Sequence, residues 1–88
     1  MLIDTHCHLD TFNDIDSILD QAQACSVENV VAVSQDPESM RMVLDIRRKR
    51  ANSVWIGLGL HPVWVVQNEN GLALALDLLK NHSADADV

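Results

Sequence analysis

The segment "NVVAV", Asn29 to Val33, is a run of β-branched and small apolar residues with no polar position alternating through it. A strand with one wet face alternates apolar and polar residues, so such a run suits a strand covered on both faces, as in a parallel sheet. Its flanks narrow the choice. Upstream, Ile15, Ile18, Leu19 and Ala22 recur at the spacing of one helical face, with Asn13 and Asp14 placed to cap it. Downstream, Asp36 is a good N-cap and Pro37 fits the first helical position, where its missing N–H costs nothing.

The second helix turns Met40, Val43 and Leu44 inward and ends in "RRKR", Arg47 to Arg50. Basic residues there complement the negative end of the helix dipole, so a solvated helix end is expected rather than a nucleic-acid patch. Leu2–Thr5 and Val54–Gly59 read as two further strands. Pro62 disfavours helix at His61, so "LHPVW" is expected as a loop. A last amphipathic segment carries Leu72, Ala75, Leu76 and Leu79. Strand and helix therefore alternate three times over short connections, which predicts an α/β fold of right-handed βαβ units with parallel strands.

With 88 residues the chain makes one small domain, and a domain of that size buries only about 60% of the surface its unfolded chain exposes. The net charge of −7 argues against a non-specific basic surface for nucleic acid or anionic membrane. A local basic pocket, or phosphate recruited by a bound cation, stays open. The longest apolar runs are too short to cross a bilayer. Met1 and Leu2 lead into a charged segment without the basic start and apolar core of a secretory signal. Cys7 and Cys25 make no disulfide framework, so a cytoplasmic chain with reduced thiols is expected.

The densest chemistry lies in "IDTHCHLD", Ile3 to Asp10. Strand alternation puts His6 and His8 on one side and Cys7 on the other. Two imidazoles at a strand exit can chelate one divalent cation, while flanking carboxylates such as Asp4 and Asp10 can fix the imidazole tautomer. The bland alternative is two polar surface residues. Position weighs against it: Ser34 to Asp36 follow the second strand and His61 the third. In open α/β sheets and in barrels, functional residues collect at the C-terminal ends of the strands. Cys7 and Cys25 read as small buried apolar residues. His82, among Asn81, Ser83 and Asp85, is expected to face solvent.

"IDTHCHLD", followed about fifty residues later by "IGLGLHPV", resembles the TatD family of metal-dependent hydrolases within the amidohydrolase-like group. The "SQDPES" loop and the lengths between elements fit as well. The resemblance implies the first three βα units of a TIM-type (β/α)8 barrel, a fold of typically about 250 residues. It further implies a deoxyribonuclease that cleaves DNA phosphodiesters with divalent ions, zinc, magnesium or manganese, at the barrel mouth. His6 and His8 would bind one ion, Asp4 would support them, and His61 would be the catalytic-rim residue that contacts the substrate phosphate or a bound water.

The family's metal-binding glutamate, in a Gly-Glu-x-Gly-Leu-Asp segment on the fourth strand, has no counterpart in Glu28, Glu38 or Glu69. Residues 1–88 are therefore expected to form a single partial domain, cut before the fourth strand and poorly active. The first and third strands would be left with unpaired edges through which copies could associate. Two rival readings stand beside this one. The chain is a non-catalytic α/β module whose histidines bind a metal structurally or not at all, or it acts on another ester or amide. The Gly-x-His-Pro element, Gly59 to Pro62, favours the nuclease branch over the latter.

Overall fold

Val30, Ala32, Val54 and Ile56 occupy alternate positions on two neighbouring strands and are between 0% and 6% exposed, all on one face of a sheet. In this computed structural model, which describes residues 1–88, the sheet has three strands. They are β1 (Leu2–Cys7), β2 (Val27–Val33) and β3 (Val54–Gly57), in the order β1-β2-β3 and parallel throughout. Between and after them run α1 (Ile15–Ala24), α2 (Pro37–Lys49), α3 (Pro62–Gln67) and α4 (Leu72–His82), with short 3-10 turns at Leu9–Thr11, Glu69–Gly71 and Ser83–Asp85.

Sequential strand order with crossovers of one hand places the helices on the same face of the sheet. The core shows this, since Leu19 of α1 and Met40, Val43, Leu44 and Ile46 of α2 pack with the four sheet residues above, while Leu78 and Leu79 of α4 border them. On the other face Trp55 stays 37% exposed. A sheet covered by helices on one side, with strands in chain order, is the arrangement of the first units of a TIM-type barrel.

Local chemistry sets the boundaries. Asp14 caps α1 by accepting from the Ser17 N–H at 3.1 Å. Ser26, with φ of 66°, takes the left-handed turn that returns the chain from α1 into β2. At α2 the Asp36 carboxylate accepts from the Ser39 N–H at 2.7 Å, and the Ser39 hydroxyl accepts from the Asp36 and Gln35 N–H groups at 3.0 and 2.8 Å. That reciprocal cap with Pro37 at the first position makes the start of α2 the best-determined boundary in the chain.

Several expectations need correcting. Helix α3 begins at Pro62, where a loop was expected. Pro62 does keep His61 extended, at φ −71° and ψ 137°, but a proline is itself favoured in a first helical turn. Strand β3 ends at Gly57 instead of Gly59, and β1 continues to Cys7 instead of stopping at Thr5. Leu76 turns outward at 49% exposed, whereas Ala75 is buried at 1%. Cys25 sits exposed at the end of α1 rather than in the core. His82 is half-buried and pairs with Asp85 at 3.0 Å rather than facing solvent freely. The basic run at the end of α2 is largely spoken for by Asp16, Asp20, Asp45 and Asp87, in keeping with a solvated helix end.

Candidate metal centre

Parallel strands share one direction, so the exits of β1, β2 and β3 lie along the same edge of the sheet. Cys7 packs against the helix-side core, and β1 breaks register between Asp4 and Cys7, where three residues advance against two on β2, so simple alternation does not carry through His6. The His6 and His8 rings lie edge to face with centroids 5.2 Å apart. Both imidazoles therefore serve one region of space beyond the end of β1, as the sequence pattern requires of a chelating pair.

The support around them differs from expectation. Asp4 accepts a hydrogen bond from the His6 backbone N–H at 3.0 Å, so it pins the strand exit rather than an imidazole. Asp10 makes no bond to either ring; its Oδ1 and the Nδ1 of His8 are both buried without a hydrogen-bond partner. Orphaned buried polar atoms are rare in folded chains, and each calls for a partner that the chain itself does not supply, a water or an ion. Two imidazoles with an unsatisfied ring nitrogen fit a divalent ion as a partial donor set. No third His, Cys, Asp or Glu joins them in a group able to hold a metal.

His61 reaches the same edge from β3. Its backbone N–H donates to the Gln35 carbonyl at 2.6 Å, tying it to the β2 exit. Its Nδ1 accepts from the Val63 N–H at 3.1 Å and so caps α3. A neutral ring whose Nδ1 accepts carries its proton on Nε2, which leaves an N–H donor on the exposed side of His61. The loop itself is braced by Ser34, whose hydroxyl is bonded to both the N–H and the carbonyl of Gly59 at 2.9 Å. Neither that brace nor the Gln35 carbonyl was foreseeable, since each joins residues about 25 positions apart. The one signal in the sequence is a serine directly after the apolar run Val30–Val33.

Cys7 is no third ligand. Its thiol donates to the Val31 carbonyl at 3.6 Å, and burial, followed by the charge of Asp4, pushes its pKa up to about 11. A metal ligand requires the thiolate, which these surroundings oppose.

Residues 3–86 match the family described as TatD related DNase. The chain belongs to that family. Among curated relatives it is similar to "Putative deoxyribonuclease TATDN3" of Mus musculus, 31% identical over 78 residues that cover 85% of this chain and 26% of the mouse protein. It is also similar to "Deoxyribonuclease TATDN3" of Homo sapiens, 29% identical over 91 residues that cover 92% of this chain and 33% of the human protein. The chain thus spans about a quarter to a third of the length of the relatives it matches. No helix is long and apolar enough to cross a membrane.

Proposed function

We propose that this chain supplies the first metal-binding pair and a phosphate-contacting histidine of a deoxyribonuclease-type hydrolase, with DNA as the substrate of the TatD-type barrel whose first three βα units it forms. The observation that carries the reading is the ring-to-ring closeness of His6 and His8 at the exit of β1, with the buried His8 Nδ1 lacking a partner. Family membership and the names of the relatives agree with it.

In this reading His6 and His8 hold a divalent ion, zinc, magnesium or manganese. When bound, such an ion offsets the charge that develops on a phosphodiester and lowers the pKa of water. The chain's own groups orient and restrain. Asp4 fixes the backbone at His6, so the imidazole pair does not splay as β1 ends. His61, its Nδ1 engaged by the Val63 N–H, presents Nε2–H to a phosphate oxygen. A charge-assisted bond of that kind is stronger than a neutral one and sits where negative charge accumulates. The overall charge of −7 means that DNA would be held at the site and not by a basic surface.

The lack of a third ligand favours a second reading for the 88 residues taken by themselves, a metal-binding module without turnover. Titration calorimetry with zinc and manganese tests the shared element of both. Heat is expected from the wild type and from His61→Ala, and none from the double variant His6→Ala, His8→Ala. Equal heats for wild type and double variant would remove the metal pair and the proposal with it.

A further inference from the structure

His6 and His8 meet where the sheet stops holding the chain. Cys7 is the last residue of β1 in the ladder, paired with Ala32, and His8 lies beyond it. The His8 backbone, at φ −99° and ψ 72°, belongs to neither strand nor helix. Its neighbours on both sides are anchored inward, Cys7 against the core and Leu9 within it at 2% exposed. Those anchors fix where the chain passes. The orientation of the His8 peptide between them needs a restraint of its own.

Thr11 supplies it. The Thr11 hydroxyl donates to the His8 carbonyl at 2.7 Å, and the Thr11 N–H donates to the same oxygen at 3.1 Å. The N–H bond belongs to the 3-10 turn Leu9–Thr11, and any residue except proline could make it. The hydroxyl bond is the shorter of the two, and it is a bond that threonine and serine make to nearby carbonyls. Asp4 does the corresponding job one residue before Cys7, where it accepts from the His6 N–H at 3.0 Å. One histidine is thus held by its N–H and the other by its carbonyl. Every partner lies between Asp4 and Thr11, so the arrangement hangs on no distant part of the chain.

We propose that Thr11 is a positioning residue for the histidine pair: its hydroxyl sets the His8 peptide and so keeps the His8 ring edge to face with His6, 5.2 Å away. The inference rests on the metal reading above, because a shared ion is what a positioned ring serves. A pair that is correctly arranged only part of the time binds its ion more weakly by that fraction. One net hydrogen bond is worth about two- to tenfold in such an equilibrium.

NMR of the His6 and His8 ring protons, first without metal and then during titration with zinc, tests this. Rings packed edge to face shift each other's protons, so the metal-free spectrum reads the arrangement directly. Thr11→Val keeps the shape and loses the hydroxyl, while Thr11→Ser keeps the hydroxyl; Thr11 is exposed, so neither change disturbs the core. In Thr11→Val the mutual ring shifts are expected to shrink and zinc affinity to fall about two- to tenfold. The Val31 amide, in the central strand, should stay in place, whereas a threonine that merely supports the fold would move it together with the rings. Thr11→Ser should restore both the ring shifts and the affinity. Unchanged ring shifts or unchanged zinc affinity in Thr11→Val, or a Thr11→Ser protein that behaves like Thr11→Val, would overturn the assignment. Zinc that shifts neither ring of the wild type would sink the metal reading instead, and the metal-free spectra would still decide for or against Thr11.

Discussion

The Ser34 hydroxyl and Gly59 close a two-bond ring, the hydroxyl donating to the Gly59 carbonyl and accepting from the Gly59 N–H, both at 2.9 Å. The ring takes over where the ladder stops: Val33 faces Gly57 in register, the Ser34 N–H still bonds the Gly57 carbonyl, and beyond that a side chain does the pairing. Ser34 is 9% exposed, so the groups it serves cannot turn to water without rearrangement. Ser34→Ala should destabilise the fold by about 1–3 kcal/mol, the cost of leaving buried polar groups unmet. Urea unfolding measures it, and a loss within error of zero would mean the ring does not hold the β3 exit.

The two thiols should differ sharply in reactivity. Cys25 is exposed, whereas Cys7 is half-buried, bonded to the Val31 carbonyl and shifted up to about 11. Alkylation proceeds through the thiolate, so near neutral pH Cys7 offers very little of the reactive form. A mass-spectrometric time course with iodoacetamide should show Cys25 modified first and Cys7 only slowly. Equal rates would contradict the placement of Cys7 against the core.

Asp87 gives the molecule an acid-sensitive contact. The Arg47 hydrogen bonds hold its carboxyl below its ordinary value of 3.8, helped by the Ile56 N–H and opposed by partial burial. A depressed carboxylate contributes stability that is complete above the unfolded value and is lost as pH falls through the folded one. The difference in stability between wild type and Asp87→Asn should therefore be constant from neutrality down to about pH 5. It should shrink below that. Thermal unfolding of both proteins between pH 2 and 7 decides it, because other carboxylates cancel in the difference; a gap that widens on acidification would reverse the assignment.

What could be read in advance depended on how far apart in sequence the cooperating residues lie. The closeness of His6 and His8 follows from their spacing and is seen in the ring contact, and Cys7 does lie against the core, but the register break between Asp4 and Cys7 was not legible in the sequence. The start of α2 was legible because Asp36, Pro37 and the first turn are adjacent, although Ser39 as the reciprocal partner was not singled out. Alternation could not say that Asp4 would bond the backbone of His6 rather than a ring. The Ser34–Gly59 ring and the Arg47–Asp87 pair join residues 25 and 40 positions apart, and only the closed sheet brings them together. Leu76 was misplaced because α4 is apolar nearly all round, so its sequence names no single inward face.

The final expectation concerns turnover, and it follows from the donor count. Catalytic metal sites usually offer three protein ligands and leave one position for water or substrate, whereas here His6 and His8 stand without a third. An ion held by two imidazoles keeps most of its coordination to water and binds weakly. A two-ion clamp on attacking and leaving oxygens needs carboxylates that this constellation does not include. Each factor of ten in rate corresponds to about 1.4 kcal/mol of transition-state stabilisation, so forgoing several kcal/mol costs roughly three or more orders of magnitude. The purified 88-residue chain should accordingly show little or no cleavage of single- or double-stranded DNA with magnesium or manganese. A fluorogenic oligonucleotide assay run beside His8→Ala and His61→Ala preparations measures this against contaminating nucleases. Rapid turnover by the wild type, absent from both variants, would show that two imidazoles and His61 suffice, and that the missing carboxylates are not what catalysis at this site requires.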